Sequence, residues 1–123
     1  MGKKIEIKWL PEPGENNYPA AESYLNLIYD DKTAAAVVSK LKTAPAAQFK
    51  AKDIFRASGL SLLGISNSQV EKDCGRIKDG KPLSPILLVR DGRNGKVIIA
   101  DGYHRMCAVY SFIEDASIPV RIV

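Results

Sequence analysis

Hydrophobic positions in this chain fall in short blocks, and their period changes several times. Ile5, Ile7 and Trp9 alternate with Glu6 and Lys8, which predicts a half-buried strand ending at Pro11. A turn-rich stretch from Pro11 to Asn17 comes next. Pro19 then suits the first turn of a helix whose apolar face is Ala21, Tyr24, Leu25 and Ile28. Asp31 is expected to cap a second helix carrying Ala34, Val37, Val38 and Leu41, which Pro45 stops. A short strand over Gln48 to Ala51 leads to Asp53, the expected cap of a brief helix, with Gly59 placed as its C-terminal glycine. Leu60 to Ile65 is apolar without a clear period. Ser68 and Glu71 form an S-x-x-E capping box, after which Val70, Cys74 and Ile77 recur at helical spacing up to Gly80.

The last third reads strand, hairpin, strand, helix, strand. Pro85 to Arg90 and Lys96 to Asp101 are short apolar runs, expected to be buried on both faces, with the turn-forming residues Asp91 to Gly95 between them. After Asp101-Gly102 the period changes from 2 to 3.6, because Tyr103, Met106, Cys107, Tyr110 and Ile113 fall on one side of a helix. Ile118, Val120 and Ile122 alternate again, with Pro119 near the strand start. The pattern predicts an α/β (α+β) fold, a small mixed β-sheet with packed helices.

Length and composition narrow this further. At 123 residues, 46% hydrophobic and 26% charged, the chain fits one globular domain over residues 1–123. Its aliphatic runs are too short for a membrane helix, so no membrane partner is expected. Lys3 and Lys4 are followed by Glu6 and Lys8 with no apolar stretch behind them, unlike a secretory leader. Cys74 and Cys107 are too few and too far apart for a disulfide framework or a zinc site, and both fall at apolar helix positions. A cytoplasmic location is the expectation. The net charge of +4 lies wholly between Lys72 and Arg105, where eight basic residues face four acidic ones. That excess suits a small anionic ligand or, less well, a polynucleotide.

One junction concentrates chemistry. A strand ending in Asp101-Gly102 and turning straight into a helix presents free N–H groups and the positive end of the helix dipole. Gly102 permits a positive φ or the close approach of a ligand. Arg105 offers a fork of donors for phosphate or carboxylate, and His104 can donate a hydrogen bond or carry a proton. The same residues also fit a plain turn in which Asp101 caps the helix while His104 and Arg105 face water. Lys81 and Ser84, ahead of the first core strand, are placed to reach a ligand phosphate or simply to form a turn. Lys52, Asp53 and Arg56 read either as a second wall of the pocket or as solvated residues.

The run Lys81-Pro82-Leu83-Ser84-Pro85-Ile86-Leu87-Leu88-Val89-Arg90, then Val97 to Ala100, Asp101-Gly102-Tyr103-His104-Arg105 and the closing Ile118-Pro119-Val120, resembles the ParB/sulfiredoxin-like superfamily. The resemblance covers residues 66–123 as the core motif region. Residues 1–65 look like the N-terminal half of a bacterial subgroup of small stand-alone ParB-like proteins. In this superfamily the turn matching Gly102 to Arg105 holds nucleotide or phosphate groups. Sulfiredoxins carry a reactive cysteine immediately before the histidine, where this chain has Tyr103, so sulfinic acid repair is not expected. Chromosome-partition ParB proteins continue into a further nucleotide motif and a helix-turn-helix domain that these residues do not supply. Related kinases of free serine share the His-Arg turn, which leaves a nucleotide-dependent phosphotransferase or nucleotide hydrolase open.

The resemblance therefore implies binding of a nucleotide (ATP, ADP or CTP) or another phosphorylated small molecule at Gly102, Tyr103, His104 and Arg105, with Lys81 and Ser84 nearby. His104 is the candidate to donate to a phosphate or leaving group, and Asp101 to fix the turn or help place Mg²⁺. No intrinsic metal site is expected. Two alternatives stand beside this: a non-catalytic adaptor or regulator, and a nucleic-acid-binding, ParB-like nuclease-type module using the basic segment.

Overall fold

The computed structural model describes residues 5–123. The Lys3-Lys4 pair lies outside them. The described residues form a mixed four-stranded sheet with helices on both faces, the α+β architecture that the alternating periods predict. In chain order the elements are α1 (Asn17–Leu25), α2 (Asp31–Thr43), β1 (Ala47–Lys50), α3 (Ala51–Ser58), α4 (Ser68–Lys78), β2 (Ile86–Asp91), β3 (Lys96–Asp101), α5 (Tyr103–Phe112) and β4 (Ser117–Ile122). Strand order is β1-β4-β2-β3, with β2 and β4 parallel and the other two pairings antiparallel. No helix among the described residues is long and apolar enough to cross a membrane.

Alternation along β2 builds two cores. Ile86 and Leu88 join Ile99, Ile118 and Val120 in a core closed by α3, α4 and α5, while Leu87 and Val89 join Ala100 in a second core under α1 and α2. A strand buried on both faces must be apolar at every position, which is why this run is continuous where most of the chain alternates. Pro119 is tolerated inside a central strand because pairing with β2 starts one residue later, at Val120 opposite Ile86.

Several expected boundaries shift. The alternating Ile5 to Trp9 segment is not a strand: only Trp9 bridges, to Leu83, flanked by Leu10 N–H donating to the Leu83 carbonyl and Leu83 N–H to that of Lys8. The facing segment contains Pro82 and Pro85, which lack the N–H groups that a longer ladder needs. The expected apolar face of α1 is only half realised: Ala21 and Leu25 are buried, but Tyr24 is exposed within the helix, and Ile28, also exposed, lies beyond its end at Leu25. Asp30 rather than Asp31 caps α2, its Oδ1 accepting from Thr33 N–H at 2.7 Å. Asn67 rather than Ser68 caps α4, accepting from Gln69 and Val70 N–H at 3.0 and 3.1 Å. Asp53 does not cap α3: that helix starts directly from β1, and the carbonyls of Ala116 and Glu114 accept from its first two N–H groups.

Candidate functional site

The junction between β3 and α5 is shaped by a β-bulge that the sequence pattern does not reveal. Leu88 pairs with Ile99 and Leu87 with Asp101, so Ala100 is the extra residue on β3. Bulges bend a strand and re-aim the residues beyond them. Here those residues are Asp101 and Gly102, where the chain leaves the sheet. Gly102 takes φ 111° and ψ 15°, a left-handed conformation that costs other residues energy, and it is the N-cap of α5. Having no side chain, it leaves the first turn of α5 without a side-chain cap. The alternative in which Asp101 caps this helix is therefore not what forms.

The positive φ has a packing counterpart. A Cβ at position 102 falls 2.7 Å from Cγ1 of Ile86 and 3.0 Å from Arg105 Nη2. The close approach that demands glycine is thus to the chain's own β2 on that side.

Arg105 is turned inward. Its Nη2 lies 2.9 Å from Asp101 Oδ2, its Nε donates to the Ser84 carbonyl at 3.0 Å and its Nη2 to the Pro85 carbonyl at 3.3 Å. Both members of the ion pair are mostly buried. The guanidinium ties the end of β3 and the first turn of α5 to the segment that enters β2. Arg105 therefore supports the turn through these contacts, and Asp101 fixes it through Arg105. Ser84 contributes its main-chain carbonyl rather than its hydroxyl. Lys81 joins the C-terminus of α4, its N–H donating to the Arg76 carbonyl, and lines neither cleft beside the junction.

Two clefts meet over Asp101, Gly102 and His104. One, of about 320 Å³, is polar and is completed by Gln69, Asp73 and Arg105. The other, of about 340 Å³, is lined mainly by apolar or aromatic groups from Tyr24, Leu60, Ile99, Ala100 and Tyr103. Tyr103 is held in place because its hydroxyl donates to the Ser61 carbonyl, and its ring lies 5.4 Å from that of His104. Burial raises the Tyr103 pKa, so the phenol stays protonated near neutrality. Lys52 pairs with Asp115 at the surface, and neither it, Asp53 nor Arg56 reaches either cleft.

Asp73 is the site residue that the sequence reading missed. It is 4% exposed, its Oδ1 accepts from Gln69 Nε2 at 3.3 Å, and its Oδ2 has no hydrogen-bond partner among the described residues. Burial pushes its pKa up, opposed by the Gln69 hydrogen bond and the charges of Arg105, Arg76 and His104. The available signal was its spacing: Asp73 falls between Val70 and Ile77 on the buried stripe of α4, where a carboxylate is costly.

Both cysteines are buried, and burial raises the Cys107 pKa, which makes that thiol a poor nucleophile. Among the described residues no group of three or more His, Cys, Asp or Glu side chains is arranged to hold a metal ion. With Asp101 engaged by Arg105, the geometry favours its turn-fixing role over help in placing Mg²⁺. Comparison with known proteins finds no matching family model, no match among curated proteins and none among solved structures.

Proposed function

We propose that this protein binds a nucleotide or another phosphorylated small molecule over the first turn of α5. The observation that carries the reading is that an uncapped helix N-terminus opens where a polar and a largely apolar cleft meet. Free N–H groups and the helix dipole favour the phosphoryl group there. The apolar cleft, walled by Tyr24, Leu60 and Tyr103, suits a flat hydrophobic moiety such as a base. His104 lines both clefts and donates to the phosphoryl oxygens, while Arg105 supports the turn from beneath. The ParB/sulfiredoxin-like resemblance of the Gly102 to Arg105 turn points the same way.

A thermal-shift screen of ATP, ADP, CTP and inorganic phosphate, with and without Mg²⁺, tests this. A ligand of the native state at a hundred times its Kd adds about 2.7 kcal/mol of stability. At least one nucleotide is expected to raise the melting temperature in the native protein and to do so less in His104→Ala. No shift with any of them contradicts the reading. Released phosphate in the same samples separates a nucleotide hydrolase from a binding module.

A further inference from the structure

We propose that the ligand of the polar cleft carries, besides its phosphoryl group, a hydroxyl that donates to Asp73. The class that fits is a phosphorylated polyol or sugar, including a nucleotide with free ribose hydroxyls. This inference rests on the phosphoryl reading above and narrows it.

Its basis is an imbalance on one wall of the cleft. Asp73 is almost wholly buried, a place where carboxylates are rare unless paired, yet only one of its oxygens accepts a hydrogen bond. An ionised carboxylate accepts several, and leaving one oxygen without a donor costs more than a neutral group would. Charge is not what is missing. Arg105 and Arg76 both act on Asp73 electrostatically, as does His104, but Arg105 donates instead to Asp101, Ser84 and Pro85. A neutral donor answers this need better than a second cation.

The ligand is thereby constrained at both ends. The α5 N-terminus supplies donors and takes a phosphoryl group, whose oxygens are acceptors. Asp73 lines the same cleft from α4 and, when ionised, repels those oxygens. A molecule with an anionic acceptor at one end and a hydroxyl donor at the other satisfies both walls. A bare phosphate satisfies only one.

The test compares glycerol 3-phosphate with propyl phosphate, which has the same chain without hydroxyls, by calorimetric titration. The native protein is expected to bind glycerol 3-phosphate roughly tenfold more tightly. In Asp73→Asn the amide oxygen remains with Gln69 and the NH₂ group faces the cleft. The preference should then shrink, because a hydroxyl can accept from that NH₂ group but has no carboxylate to donate to, while propyl phosphate, relieved of the carboxylate's repulsion, binds at least as tightly as before. Equal affinity of the native protein for the two compounds overturns the inference and needs no variant to show it. A preference that stays undiminished in a folded Asp73→Asn overturns it as well. If neither compound binds the native protein, the phosphoryl reading falls together with it, whereas binding without preference removes only the hydroxyl.

Discussion

A Cβ at position 102 lies 2.7 Å from Cγ1 of Ile86, so the turn into α5 and the first residue of β2 fit only while residue 102 is glycine. This relationship joins the site to the core, because Ile86 is fully buried in the cluster beneath α3, α4 and α5.

Gly102→Ala is accordingly expected to destabilise the protein itself. A left-handed φ costs a non-glycine residue about 1 to 2 kcal/mol, and overpacking adds roughly 1 to 3 kcal/mol. Ile86→Ala removes the atoms that clash, so Gly102→Ala combined with Ile86→Ala should lose less stability than the two single changes added together. Denaturant titration of the four proteins measures this coupling, and strict additivity would show that the contact is not the cause.

Arg105→Ala should unfold the junction before it reports on any ligand. It leaves the Asp101 carboxylate and the Ser84 and Pro85 carbonyls without their shared donor. The expected cost is about 2 to 4 kcal/mol. Arg105→Lys should recover only part of it, since a single ammonium cannot reproduce the fork. Full recovery of the melting temperature with lysine would mean that charge alone suffices.

The sequence carried the secondary structure well wherever a period was long enough to be read. The continuous apolar run of β2, the switch from period 2 to 3.6 at Gly102 and the αL glycine closing α3 are local facts, and each appears in the fold. Caps were displaced by one residue because Asp30 and Asp31, or Asn67 and Ser68, are equally competent and tertiary packing chooses between them. The alternation of Ile5, Ile7 and Trp9 was misleading because a strand needs a partner, and its neighbour is interrupted by prolines. At the junction, Asp101 to Arg105 could be found from sequence, but not the inward turn of Arg105. Its acceptors include main-chain carbonyls some twenty residues away, which no side-chain pattern encodes.

Asp73 should make the protein more stable in mild acid than its other carboxylates would allow. Burial raises its folded pKa above the ordinary 3.8. Its contribution is therefore fully present below that ordinary value and is lost as pH rises through the raised folded value. Above that folded value the ionised group weakens the fold despite the charges of Arg105 and Arg76. Asp73→Asn is predicted to melt above the native protein at pH 7, with the gap closing towards pH 3.8. A variant that melts lower at neutral pH would contradict this.

The cap of α4 separates two neighbouring residues. Asn67→Ala removes the acceptor of two helix N–H groups and should cost about 1 kcal/mol, whereas Ser68→Ala should cost little. Melting curves of the two variants decide whether Asn67 or the Ser68-Glu71 box starts the helix.

The most direct measurement is a ¹⁵N-edited NMR titration of the native protein with the nucleotide that raises its melting temperature most, followed at backbone amides. Binding over the α5 N-terminus predicts that the largest shifts fall on the N–H groups of Gly102, Tyr103, His104 and Arg105, with smaller ones at Gln69 and Leu60 on the two cleft walls. Shifts centred on another surface, with the amides of residues 102 to 105 unmoved at saturation, would contradict it.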